Sequence, residues 1–211
     1  MKNSKPFNYL LGVIGFLFLV SLSVTVTLNF RPLYYLDMEL LNIPENSGYS
    51  AELVRENYDR LITYNNITFH GSLEFEQMPM SESARIHFEE VKQVFAVFEY
   101  MAIAAGLLYL VGCVVQWRKK DFGWLKTTAY CSIGIPLVLG VFVVSDWENV
   151  FVQFHELVFN NDYWLFDPST DPVITILPDA YFMHCAVMII GLVVAVSAGM
   201  LLVAHRKMHC S

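Results

Sequence analysis

Two histidines, each followed closely by acid, are the residues of this sequence best suited to moving protons: His87-Phe88-Glu89-Glu90 and His155-Glu156. A neutral imidazole is a good base near neutral pH, and a carboxylate partner fixes its tautomer and raises its basicity. Glu90, Glu156, Asp167 and Asp171 are the candidates for that orienting part. The stretch that follows His155 is unusually dense, because Trp164-Leu165-Phe166-Asp167-Pro168-Ser169-Thr170-Asp171-Pro172 joins two large aromatics to two Asp-Pro turns. A connector that only had to be soluble needs none of this. Arg85 is a candidate for meeting an anionic headgroup or an oxyanion, and Trp164 for packing over the site.

Other chemistries fit less well. His155-Glu156-Leu157-Val158-Phe159 begins like the zinc-protease His-Glu-x-x-His, but Phe159 stands where the second ligand belongs. A metal-dependent membrane hydrolase built from His87, His155 and Asp167 or Asp171 is the chemical alternative, although both aspartates also read as helix caps. No Gly-x-Ser-x-Gly elbow occurs, and nothing marks Ser81, Ser83, Ser145, Ser169 or Thr170 as a nucleophile. The four cysteines form no Cys-x-x-Cys pair: Cys113, Cys131 and Cys185 fall in apolar segments and Cys210 in the tail. Of the remaining histidines, His205 and His209 read as solvated tail residues and His70 as a surface residue beside Gly71. His184 reads either as a buried hydrogen-bonded residue or as one that supports the site from behind.

The elements that must position these groups are set by hydropathy. The chain has 211 residues, 55% hydrophobic and only 16% charged, where soluble domains carry about a quarter charged. Segments 7–30, 94–117, 124–145 and 181–204 are nearly free of charge, and each is long enough to supply the roughly 20 residues that span a bilayer core. The fold class is therefore an all-α membrane protein, a four-transmembrane-helix bundle within one integral membrane domain over 1–211. Loops 31–93 and 146–180 form a small extracellular cap. The first segment is longer than a signal h-region and no small-residue cleavage site follows, so it reads as a retained signal anchor. Lys2, Lys5, Arg118, Lys119, Lys120, Lys126, Arg206 and Lys207 fall on one side. By the positive-inside rule both termini are cytoplasmic. The net charge of −7 comes from an acidic outer face, which gives no reason to expect nucleic acid.

Within the outer loops, 50–64 reads as an amphipathic helix with Leu53, Val54, Tyr58, Leu61 and Ile62 on one face. Gly71 divides 67–75 into two short runs that suggest a hairpin. Asn66-Ile67-Thr68 matches a glycosylation sequon, a pattern common by chance. Met80-Ser81-Glu82-Ser83 supplies an N-cap, and the helix it opens runs unbroken into the second membrane segment. His87 shares a face with Val91, Val94, Phe98 and Met101, which puts it about one turn above the bilayer and turned towards the bundle. Residues 146–159 continue as an interfacial helix with Trp147 as a belt residue. Asp167-Pro168 and Asp171-Pro172 match an N-cap followed by Pro at N1, so short helices or turns fold 169–177 back across the bundle mouth.

These words resemble the lipoprotein intramolecular transacylases, integral membrane proteins of Gram-positive bacteria. The likeness is carried by Glu82-x-x-x-x-His87-x-x-Glu90-Val91-Lys92, by Phe154-His155 and by Trp164-x-Phe166-Asp167-Pro168-x-Thr170-Asp171-Pro172. It continues to Leu177-Pro178-Asp179-x-x-Phe182. Glu90 stands where the family mostly has Asp, and Asp179 where it mostly has Glu. The resemblance implies a cell-membrane acyltransferase whose partners are diacylated lipoproteins and membrane lipid. It moves the sn-2 ester-linked acyl chain of a diacylglyceryl-cysteine to the α-amine of the same cysteine, giving a lyso-form lipoprotein. It also implies that His87 and His155 are the family's two histidines and that no cofactor or metal is needed. The rival expectation is a non-enzymatic membrane protein whose outer cap binds a lipid or a partner.

Overall fold

The computed structural model describes residues 5–209, which leaves Lys2 and Cys210 outside the described residues. Helices follow one another as α1 (Lys5–Asn29), α2 (Arg31–Leu40), α3 (Ile43–Ser47), α4 (Ala51–Tyr64), α5 (Glu82–Arg118), α6 (Gly123–Ser145) and α7 (Trp147–Val158). A 3-10 turn (Pro172–Ile176) and α8 (Asp179–His209) complete the chain, and no strand occurs among the described residues. Four helices, α1, α5, α6 and α8, are long and apolar enough to cross a membrane. Contacts divide the chain into two compact units, one of residues 1–26, 98–142 and 187–211, the other of 27–97 and 143–186.

The first unit is the apolar one. Its helices approach closely where side chains are smallest: a Cβ on Gly12 would lie 2.5 Å from Thr127 Cγ2, and one on Gly15 2.5 Å from the Tyr109 ring. Such close packing of side chains against glycine replaces the hydrophobic drive that lipid cannot supply. Leu11, Tyr109, Trp124 and Leu125 are buried around them. Asn8 Nδ2 donates to the Asp121 carboxylate at 3.1 Å, satisfying a polar pair at one end.

The second unit holds both candidate histidines, and its core is aromatic. Tyr34 and Tyr58 stack at 3.7 Å between centroids, and Tyr181 meets both edge-on. The hydroxyls are satisfied as burial requires. Tyr34 donates to the Ile176 carbonyl at 2.6 Å, and the Tyr58 and Tyr181 oxygens lie 2.8 Å apart. The amphipathic stretch expected at 50–64 is α4, capped by Ser50 Oγ accepting from Leu53 N–H. Ser81 caps α5 in the same way, accepting from Ala84 N–H at 3.1 Å.

After a break at Phe30, which ends α1, Pro32 sits in the first turn of α2, where its missing N–H costs nothing. Two expectations need correction. The hairpin at 67–75 does not form. Side chains of the flanking helices satisfy that backbone instead. Asn57 bonds both the N–H and the C=O of Glu76, and Lys92 Nζ donates to the Phe69 carbonyl at 2.9 Å. Neither aspartate of the Asp-Pro pairs caps a helix at its own position. Asp167 closes a turn by accepting from Ser169 N–H and Oγ. Asp171, only 3% exposed, turns away from the 3-10 helix it precedes and accepts from Ser81 N–H at 2.7 Å and Thr170 Oγ1 at 2.8 Å. It thus anchors the start of α5, as the acid of a capping box would.

Candidate functional site

The helix that carries His155 begins at Asp146, whose carboxylate accepts from Asn149 N–H. It ends at Phe159, so the histidine occupies its last turn, where the helix dipole favours positive charge. At α-helical spacing, residues four before and four after share its face. Phe151 and Phe159 are those residues, with ring centroids 4.2 and 5.6 Å from the imidazole. Trp164 covers the ring at 4.8 Å. The two aromatics read from sequence divide the work, since Phe166 packs instead on His87, 5.5 Å away.

His87, in the second turn of α5, meets Phe159 at 4.8 Å and Phe88 at 5.9 Å. Its ring centroid lies 5.9 Å from that of His155, with the planes 33° apart. Both side chains are buried, at 6% and 9% exposure. The two imidazoles thus share one aromatic enclosure.

Their hydrogen bonding differs, and so does their chemistry. His155 Nδ1 lies 2.8 Å from the Phe151 carbonyl. A carbonyl only accepts, so Nδ1 carries the proton and Nε2 presents its lone pair. His87 Nδ1 is shut off from solvent with no partner among the described residues. Burial, with the neighbouring His155 charge adding to it, pushes His87 down to about 4. Burial also lowers His155, but the Phe151 carbonyl and Asp179 oppose the shift. Both rings are therefore neutral at neutral pH, and His155 is the better placed to accept a proton.

None of the four candidate carboxylates orients a ring. Glu156 is exposed, Asp167 is tied to Ser169, and Asp171 anchors Ser81. Helical geometry explains this for Glu156: the position after an inward-facing residue turns outward. Glu90 lies one turn beyond His87 on α5, but its Oε1 accepts from Asn161 Nδ2 at 2.8 Å. Asn161 in turn accepts from Trp164 Nε1 on its carbonyl at 3.1 Å and from Tyr163 N–H on Oδ1 at 3.0 Å. Glu90 therefore reaches His155 through Asn161 and the indole. Arg85 is committed to exposed pairs with Glu82 and Glu89. His184 is hydrogen-bonded as expected, through Nδ1 at 2.9 Å from both oxygens of the buried Asp37 carboxylate.

The aspartates that a metal site would have needed are engaged elsewhere, and no three metal-ligating side chains converge among the described residues. Sequence reasoning missed Phe151, Phe159, Asn161 and Asp37. The two phenylalanines were recoverable from their four-residue spacing about His155. Asn161 and Asp37 carried no such signal.

The chain matches the family of lipoprotein intramolecular transacylases (Lit) over residues 9–182. No curated protein matches it. Among solved structures it is similar to the in meso structure of the membrane-integral lipoprotein intramolecular transacylase Lit from Bacillus cereus. The two are 29% identical, the match covers 98% of each chain, and the TM-score is 0.95. Variants of that Bacillus cereus protein with one histidine replaced also match. With arginine there, identity is 30%, coverage 96% of this chain and 91% of the other, and the TM-score 0.85. With alanine there, the values are 28%, 98% and 96%, and 0.88.

Proposed function

The chain belongs to the lipoprotein intramolecular transacylase family, and on that premise we propose that His87 and His155 divide the proton movements of its acyl transfer. The protein is a membrane-integral acyltransferase whose substrate is a lipoprotein. The substrate is one with an S-diacylglyceryl N-terminal cysteine, and the sn-2 acyl chain passes from glycerol oxygen to the α-amine. Both termini are cytoplasmic and the site lies at the extracellular interface, a reading supported by the excess of Lys and Arg on the opposite side.

The chemistry follows from the two rings. The substrate α-amine titrates near 7.7–8.0 and arrives mainly as ammonium at neutral pH. His155 Nε2 takes its first proton while Nδ1–H stays bonded to the Phe151 carbonyl, which stabilises the resulting imidazolium. The freed nitrogen attacks the ester carbonyl and an N–C bond forms. His87, neutral and without a protein partner on Nδ1, is available to the tetrahedral oxyanion as a donor, or to the new N–C nitrogen as an acceptor. The imidazolium returns its proton to the glycerol oxygen as the C–O bond breaks. The ammonium has then lost two protons, one to glycerol and one to solvent. Amine and ester belong to one molecule, so holding them together replaces an encounter with a positioned step, a gain of up to about 7–11 kcal/mol.

The observation that carries this reading is the meeting of two neutral imidazoles, 5.9 Å apart, inside one aromatic enclosure. The test is mass spectrometry of a lipoprotein N-terminus from cells making the wild type, His87→Ala or His155→Ala. Wild type should move one acyl chain to nitrogen, and either variant should abolish the product while still inserting and folding. Full activity in either variant would remove that histidine from the mechanism.

A further inference from the structure

One buried polar atom on the helix that carries His87 has no role in the scheme above. Glu90 lies three residues after His87 on α5, a spacing that brings Cβ atoms within about 5–6 Å. Its Oε1 is occupied by Asn161 Nδ2 at 2.8 Å. Its Oε2 is closed to solvent and has no hydrogen-bond partner among the described residues. No cation among the described residues is paired with it. Arg85 is held by Glu82 and Glu89 at the surface, and Lys92 is bonded to the Phe69 carbonyl and lies over the Tyr64 ring at 4.3 Å. A buried carboxylate oxygen with neither a hydrogen bond nor a counter-charge is costly, and such an atom in a site points to a missing donor. The substrate brings a donor of the right kind, an ammonium with three N–H groups.

We propose that Glu90 Oε2 receives the α-ammonium of the lipidated cysteine and holds it against the two imidazoles. This rests on the acyl-transfer reading and adds to it the group that selects the amine. Glu90 is fixed for the task by Asn161, whose other bonds secure Tyr163 and Trp164, so the carboxylate and the ring over His155 are set by one residue. Holding the ammonium keeps its nitrogen beside His155 Nε2. Once one proton has passed to that ring, a remaining N–H stays on Glu90 and the lone pair is free for attack. The carboxylate accepts hydrogen bonds throughout and is not itself protonated, so the proton balance is unchanged.

The test uses the full-length protein and two synthetic probes. Both are S-glyceryl cysteine peptides whose sn-2 chain is joined by an unreactive ether; one has the α-amine, and in the other hydrogen replaces it. Wild type should bind the amine probe about ten- to a hundredfold more tightly, the range of a hydrogen bond to a charged group. Glu90→Gln keeps the shape and the bond from Asn161 but loses the charge, and should bind the two probes within about threefold of each other. Glu90→Asp should retain the preference. Transacylation by Glu90→Gln should also rise with pH through the amine range, where wild type falls. A wild type without amine preference, a Gln variant that keeps it, or equal loss of both probes in that variant would overturn the assignment. Binding is read without turnover, so inactivity of the wild type would count against the acyl-transfer reading alone.

Discussion

Lowering the pH from 7.5 to 6 should cost less transacylation than a pair of ordinary histidines, which titrate near 6.5, would lose. At pH 6 an imidazole with the usual value of 6.5 is only about one quarter neutral, whereas one titrating at about 4 is about 99% neutral. His87 is in the second class, and burial moves His155 in the same direction. The proposed reaction starts from an ammonium and two neutral rings, so kcat/KM follows the product of those populations. Its acid limb lies below the ordinary histidine value of about 6.5 and its alkaline limb at the amine, near 7.7–8.0. The assay is acyl migration in a synthetic lipopeptide, followed by mass spectrometry in vesicles at fixed ionic strength. Half-loss of activity near pH 6.5 would mean that the rings are solvated and the enclosure open. A steady rise up to pH 8 would mean that the free amine is the reacting form and that His155 does not take its proton.

The same burial makes stability depend on acid. Folded His87 resists protonation while the unfolded chain binds a proton near 6.5, so its contribution is intact above pH 6.5 and is lost as pH falls towards 4. The loss is up to about 3 kcal/mol, and the acid-side drop in unfolding temperature should shrink in His87→Phe. Trp164→Ala removes the ring 4.8 Å from His155 and the bond to Asn161. It should cost about 3 kcal/mol of stability and at least about tenfold in rate, whereas Trp164→Phe should keep most activity. Glu156→Gln and Arg85→Ala alter exposed groups, and surface pairs contribute about 0–1 kcal/mol. Both should transfer acyl chains within about twofold of wild type in the same assay, and a larger loss in either would restore it to the site.

What the sequence disclosed was whatever a period or a composition encodes. Four apolar runs gave the long helices, the apolar stripe through Val54, Tyr58 and Leu61 gave α4, and Ser81 marked the start of α5. The two histidines could be singled out because each sits in a polar word beside an apolar segment. The partners of the rings were misread because adjacency in sequence was taken for adjacency in space. Glu156 follows His155 in the chain but leaves it by about 100° around the helix. The group that orients the ring is the carbonyl of Phe151, and backbone carbonyls leave no mark in residue types. Pro32 shows a second limit. The ten-residue α2 directly follows the first apolar run, and a proline in its first turn does not by itself announce a new helix. Asn161 shows a third, because an asparagine in a loop is ordinary until the side chains around it are known.

An ester placed beside a basic imidazole in water would be expected to hydrolyse, so a transacylase has to favour nitrogen over water by construction. Phe88, Phe151, Phe159, Trp164 and Phe166 do this by lining the rings with groups that cannot hold water. The substrate's own amine then becomes the nucleophile at hand. The enclosure has a cost, because the desolvation that excludes water also weakens the imidazoles as bases. The two rings meet that cost differently. His155 recovers part of its basicity through the Phe151 carbonyl, while His87, with no such support, stays neutral far into acid. A matched pair of solvated histidines would both titrate near neutrality and would admit the water that destroys the product. The asymmetry between one anchored and one unsupported ring is what a dry acyl-transfer site requires, and exchanging the aromatic lining for small polar residues should convert transfer into hydrolysis before it abolishes turnover.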